Sequence, residues 1–221
     1  GMGTRIVNEM PACRIEHLVK EKDMLRLGMI GTGNISRDAL TPAITEVEDA
    51  VFWSVFSRKK DRAEEFARQN NAQAPEPGFA DLDAFLADPD LDAVVIATPD
   101  KLHAEQTIAA AAAGKHVLVE KPLAATVEEG RELVALAQRN KLTLHVGHVE
   151  RYNPVITYLE QRVDNPRFIE SHRLASYPPP RPGMLPRGTE VGVVLDLMIH
   201  DIDIILHLVN SEIERVDAVG I

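Results

Sequence analysis

Five short apolar runs recur along the first 147 residues, and helix-like stretches separate them. The runs are Leu25-Arg26-Leu27-Gly28-Met29-Ile30, Val51-Phe52-Trp53-Ser54-Val55-Phe56, Asp92-Ala93-Val94-Val95-Ile96-Ala97, His116 to Glu120 and Leu142 to Val146. The third is apolar at nearly every position, as a strand is when helices cover both faces of its sheet. A helix opens after the first run, Lys60 to Gln69 reads as a charged helix, and His103 to Ala113 as an alanine-rich one that Gly114 ends. Val127 to Arg139 is the next helix. Such alternation commits this part of the chain to an α/β fold with a doubly wound parallel sheet, because parallel neighbours need a crossover between them.

Beyond Arg151 the rhythm changes. A helix is expected from Asn153 to about Arg162, and Arg167 to Ala175 alternates like a half-exposed strand. Tyr177 to Gly188 carries five prolines and two glycines, the composition of a loop with restricted backbone. Val193 to Val209 reads as a strongly apolar helix and Ile213 to Val219 as a strand. The expected organisation is an extension over residues 1–24, a dinucleotide-binding domain over 25–150, and an incomplete α+β domain with a mainly antiparallel sheet over 151–221. The last has only about seventy residues, thin for an independent core.

Composition excludes several classes. At 45% apolar and 26% charged residues the chain has the balance of a globular protein, and a formal charge of −10 argues against a nucleic-acid surface. No apolar stretch approaches the roughly 18 residues that span a membrane. The opening Gly1 to Lys20 has no continuous apolar core and does not read as a signal peptide. The single cysteine, Cys13, excludes an internal disulfide and fits a reducing cytoplasm.

Gly31-Thr32-Gly33-Asn34-Ile35-Ser36 follows the first strand and opens a helix. In a Rossmann arrangement the first glycine permits the tight turn, and the second lets a pyrophosphate approach the backbone. A small third residue allows close helix–strand packing. Free N–H groups at Asn34, Ile35 and Ser36 and the helix dipole favour phosphate charge. The competing reading is a glycine-rich turn without a ligand. After the second strand come Ser57, Arg58, Lys59 and Lys60 rather than the carboxylate usual in NAD sites. A hydroxyl with adjacent cations suits a 2′-phosphate, so NADP is favoured. Asp61 keeps NAD as the alternative.

Four motifs in this order resemble the Gfo/Idh/MocA family of sugar and polyol oxidoreductases. They are Gly31-Thr32-Gly33, Ala97-Thr98-Pro99 with His103 shortly after, Glu120-Lys121-Pro122, and the run from Asp196 to His200-Asp201-Ile202-Asp203. The resemblance implies a catalytic group of Lys121, Asp196 and His200 beside the nicotinamide. It also implies contacts near the nicotinamide from Thr98, Pro99, His103, Glu120 and Lys121, which join Gly31, Gly33, Asn34, Ile35, Ser57 and Arg58 as the expected dinucleotide-binding residues. The implied substrate is a sugar, polyol or nucleotide-sugar, and the implied assembly is a homo-oligomer. Gly147 to Pro154 is similar to a subgroup that oxidises nucleotide-linked amino sugars. Family members continue well past this length to complete an open antiparallel sheet, whereas this chain stops at Ile221. Unpaired strand edges are therefore expected, and a dinucleotide-binding protein without turnover stands as the alternative function.

The residues carry a chemistry of their own. Oxidising a secondary alcohol requires hydride transfer and removal of the hydroxyl proton. Asp196 and His200, four apart, share a helix face. An imidazole is suited to accepting a proton near neutrality. A lysine at the carboxyl end of a buried strand can stabilise charge developing on the substrate oxygen. The competing reading is a satisfied buried Asp–His pair. A metal on Asp196, His200 and Asp201 is not expected, since one helix supplies too few ligands. His148 either edges the nicotinamide pocket or is structural. Arg181 and Arg187 either clamp an anionic substrate or are solvated loop cations.

Overall fold

The computed structural model describes residues 24–174, 192–209 and 211–220. Cys13, Arg181, Arg187 and almost all of the expected N-terminal extension lie outside them. The chain divides into two compact units that meet in sequence between Gly147 and His148.

In the unit ending at Gly147, six strands form one sheet. They are β1 (Leu25–Ile30), β2 (Ala50–Phe56), β3 (Gly78–Phe79), β4 (Ala93–Ile96), β5 (His116–Val119) and β6 (Leu144–Val146). Their order is β3-β2-β1-β4-β5-β6 and every neighbouring pair is parallel. The crossovers carry α1 (Thr41–Glu46), α2 (Lys60–Gln69), α3 (Leu82–Leu86), α4 (His103–Ala112) and α5 (Val127–Arg139). This is the doubly wound Rossmann sheet expected from the alternation.

Strand periodicity places the core on both faces. Met29, Val95 and Ala97 point to the side covered by α1 and α2, where Ile44, Ala63, Phe66 and Ala67 are buried. Their chain neighbours Ile30, Val94 and Ile96 point to the other side, with Phe85 and Leu86 of α3 and Ala110 of α4. Phe85 has no exposed surface and stands 5.6 Å from the Phe79 ring and 6.2 Å from the Phe56 ring, centroid to centroid. Burying one such ring contributes about 1.5–3 kcal/mol, enough to hold the two-residue β3 and five-residue α3 in place. Local signals set the helix ends. Thr126 accepts from the Glu129 amide while the Glu129 carboxylate accepts from the Thr126 amide, starting α5. Gly114 ends the alanine-rich α4 segment with φ of 75°.

The unit from His148 onward has a 3-10 turn (Val149–Tyr152), α6 (Pro154–Glu160), a π-helical turn (Val194–Met198) and α7 (Ile199–Leu208). The strands expected at Arg167–Ala175 and Ile213–Val219 are not formed over described residues 167–174 and 213–219. Alternating apolar residues make a strand only when another strand satisfies the backbone donors and acceptors. Phe168 is 81% exposed and Val219 99% exposed, so the apolar side of each segment faces solvent. The mainly antiparallel sheet is thus absent among the described residues. No helix among them is long and apolar enough to cross a membrane.

Candidate functional site

The winding direction reverses between β1 and β4, and such a switch point opens a crevice beyond the carboxyl ends of those strands. The chain leaves β1 there through Gly31, whose φ is 106°. A Cβ on Gly31 would lie 2.6 Å from the carbonyl oxygen of Ala97 at the end of β4. Two backbones therefore pass at a distance that only glycine permits. Gly33 is the opposite case, with nothing within 4 Å of an added Cβ. The space beside it is open.

Helical backbone begins at residue 34, runs through a π-helical turn at Ser36–Leu40 and continues as α1. The Arg37 amide makes the first such bond, to the Gly33 carbonyl at 3.1 Å. The amides of Asn34, Ile35 and Ser36 lie ahead of it, as a phosphate cradle requires. An open shelf beside Gly33, bounded by a helix start, fits a dinucleotide pyrophosphate.

At the end of β2, the Ser57 amide donates to the Phe79 carbonyl at 3.0 Å, and Arg58 stands exposed in the turn. From α2, Arg62 Nη2 donates to the Thr32 carbonyl at 3.1 Å. This cation beside the glycine turn was not among the residues singled out from the sequence. Asp61 accepts from the neighbouring Arg62 amide through Oδ1 at 2.9 Å, the local bond of an acidic residue in a first helical turn.

The ends of β4 and β5 bring Thr98, His103, Glu120 and Lys121 into one region. Thr98 Oγ1 donates to Gln106 Oε1 at 2.6 Å, and Pro99 is exposed at the head of the 3-10 turn Asp100–Leu102. The Glu120 amide donates to the Ile96 carbonyl at 2.9 Å, continuing the ladder one residue past β5. Burial pushes the Glu120 carboxyl above the usual carboxylate range, opposed by the Lys121 amide bond and by the charges of Lys121 and His103. A Cβ on Gly147 would approach that carboxylate to 3.1 Å, so the glycine gives it room. Lys121, half-buried, follows directly, and the Lys121–Pro122 peptide is cis.

His103 departs from its expected role in cofactor binding. It is fully buried, with Nδ1 2.7 Å from the Pro122 carbonyl and Nε2 2.9 Å from the Thr98 carbonyl. Both ring nitrogens are taken up by backbone, which leaves none for a dinucleotide. The imidazole braces the turn after β4 against the turn after β5. Replacing His103 with alanine is expected to lower unfolding free energy by about 2–4 kcal/mol, combining a cavity with two weakened carbonyl contacts. A urea midpoint indistinguishable from that of the parent protein would rule the brace out.

Asp196 and His200 belong to the other unit. Asp196 is exposed in the π-helical turn and His200 is half-buried in the first turn of α7. The single α-helix expected over Val193–Val209 is thus two helical types in series. Asp203, three residues past His200, is buried and meets Arg151 in a two-bond fork, Nε to Oδ2 at 2.8 Å and Nη2 to Oδ1 at 2.6 Å. His148 Nδ1 lies 3.8 Å from the same carboxylate. Among the described residues, no three His, Cys, Asp or Glu side chains are grouped to hold a metal.

Comparison with known proteins agrees with this geometry. The Gfo/Idh/MocA oxidoreductase family, with an NAD-binding Rossmann fold, matches residues 25–148. The chain is 36% identical over 200 residues to a UDP-N-acetylglucosamine 3-dehydrogenase of Acidithiobacillus ferrooxidans, covering 89% of this chain and 58% of that protein. It is 33% identical over 196 residues to a 1,5-anhydro-D-fructose reductase of Ensifer adhaerens, covering 86% and 58%. A solved structure of UDP-N-acetylglucosamine 3-dehydrogenase from Acidithiobacillus ferrooxidans superposes with a TM-score of 0.73 at 35% identity, covering 86% of this chain and 58% of that one. The chain therefore spans a little over half the length of these relatives. With its six parallel strands and its glycine turn at the switch point, it belongs to the Gfo/Idh/MocA oxidoreductase family.

Proposed function

We propose that this protein transfers a hydride between a nicotinamide dinucleotide and a secondary alcohol of a sugar, polyol or nucleotide-sugar. The observation that carries the reading is the open space at Gly33, at a sheet switch point near which Glu120 and Lys121 directly follow strand β5. The chain's own groups divide the remaining work. Gly33 and the amides of Asn34 to Ser36 hold the pyrophosphate. Lys121 donates to the reacting oxygen and stabilises its growing negative charge. His200 takes the hydroxyl proton in oxidation and returns it in reduction, with Asp196 orienting the imidazole or holding a neighbouring hydroxyl. When bound, the nicotinamide supplies the hydride acceptor. The relative named for UDP-N-acetylglucosamine directs the first substrate trial to nucleotide-sugars.

For the cofactor we favour NADP, because the turn after β2 carries a hydroxyl and a cation in Ser57 and Arg58, and a second cation, Arg62, reaches the Thr32 carbonyl of the glycine turn. The test is a parallel titration with NADPH and NADH followed by nicotinamide fluorescence. Arg58→Ala is expected to weaken NADPH binding about tenfold, the loss of one charge-assisted contact, and to leave NADH binding within about twofold. Tighter binding of NADH by the parent protein would overturn the NADP preference. Failure to bind either nucleotide sinks the enzyme reading. Binding without turnover of any sugar supports a dinucleotide-binding protein instead.

A further inference from the structure

The helix that carries His200 is held by two arginine forks on different sides. Arg151, from the 3-10 turn Val149–Tyr152, grips Asp203 through both oxygens as described above. Arg173 grips Asp201 in the same way, Nε to Oδ2 at 2.6 Å and Nη2 to Oδ1 at 3.1 Å, and Ser171 Oγ adds a third bond at 2.9 Å. At 3.6 residues per turn, Asp201 lies about 100° to one side of His200 around α7 and Asp203 about 60° to the other. The two forks therefore bracket the face on which the imidazole stands.

We infer that Asp203 and Asp201, each clamped by its arginine, are positioning residues that fix the roll of α7 and with it the direction of the His200 ring. A single contact lets a helix pivot about that contact. Two planar forks about 160° apart resist rotation in both senses, and bidentate geometry adds direction as well as charge. The forks differ in setting. The Asp203 side chain is 9% exposed, so its charge depends on Arg151 for compensation. The Asp201 carboxylate is more open at 17% exposed, while of the two arginines Arg151 is the more exposed, at 43% against 29% for Arg173. The Arg173 hydrogen bond holds the Asp201 carboxyl below the usual carboxylate range, with Ser171 contributing in the same direction. The inference rests on the proposed proton-transfer role of His200 for its bearing on turnover, but not for the geometry itself.

The deciding variant is Arg151→Lys, which keeps both charges and loses the planar fork. Arg173→Lys does the same at the less buried carboxylate, Asp201, and serves where the first folds poorly. In the full chain labelled with ¹³C-histidine, the His200 ring cross-peak, assigned by its loss in His200→Gln, is read without substrate or nucleotide. It is expected to move in each lysine variant and also in Asp203→Asn. In turnover, kcat is expected to fall about tenfold, the scale of a sub-ångström misplacement, with KM for the dinucleotide unchanged. A cross-peak that stays in place in both lysine variants overturns the proposal. So does one that moves only in Asp203→Asn, since that reports a lost charge rather than a changed roll. Absence of turnover in the parent protein counts against the functional reading alone, because the cross-peak judges the roll independently.

Discussion

Lys121→Ala is expected to lower turnover of a sugar or nucleotide-sugar about a thousandfold while the dissociation constant for the dinucleotide changes by less than about threefold. The asymmetry follows from where the lysine sits. It is placed just beyond the carboxyl end of β5, after the half-buried Glu120, whereas the pyrophosphate cradle is built from the glycine turn after β1. A group that stabilises charge only as the substrate oxygen gains it acts on kcat and not on cofactor affinity. Removing one such donor costs about a hundredfold to a thousandfold, and the ammonium adds full charge to its hydrogen bond. Steady-state kinetics beside a fluorescence titration separate the two quantities. Equal losses in both would make Lys121 a cofactor ligand, and an unchanged kcat would remove it from the chemistry.

The second large effect is a contrast between two glycines two residues apart. Gly31→Ala is expected to destabilise the fold by about 2–4 kcal/mol, because the new methyl would meet the Ala97 carbonyl oxygen at 2.6 Å and the backbone has φ of 106°. Gly33→Ala is expected to leave stability within about 0.5 kcal/mol, since its Cβ meets nothing within 4 Å. Yet the same methyl occupies the shelf that a pyrophosphate would need, and dinucleotide affinity should fall at least about tenfold. Thermal unfolding and nucleotide titration on both variants suffice. Undiminished binding by Gly33→Ala would show that the shelf is only a turn.

Much of the Rossmann unit was legible because its determinants are local or periodic. Leu25–Ile30, Lys60–Gln69 and Val127–Arg139 have the bounds read from the sequence, since an apolar run or an amphipathic stretch, capped in the case of Val127–Arg139, announces each. Strand β3 and helix α3 were not foreseen. Gly78–Phe79 is too short to show a period, and Leu82–Leu86 lies in a segment broken by Pro75, Pro77 and Pro89. What stabilises both is Phe85 packed against nearby Phe79 and against Phe56 on another strand, the second a contact between residues distant in sequence.

The site was legible in its residue types and less so in its directions. The glycine turn lies at the switch point, as its place after an N-terminal strand implied. That His103 turns inward, and that Arg62 reaches the Thr32 carbonyl, depend on how α4 and α2 roll against the sheet. A histidine opening a helix reads the same whether it faces solvent, ligand or core. The segments 167–174 and 213–219 illustrate the converse, because alternation describes one chain while a strand is a property of two.

The π-helical turns at Ser36–Leu40 and Val194–Met198 stand at the beginnings of the two helices on which the proposed chemistry depends. A helix of uniform pitch has one phase, so the residues that pack its body also dictate where its first amides and side chains aim. A wider turn near the start breaks that link, giving the leading end and the body separate azimuths. The apolar stripe can then remain seated while the opening turn is directed elsewhere, as if one rod had been cut, twisted and rejoined. Two sequence demands that would otherwise compete for the same heptad are thereby met in succession along the chain.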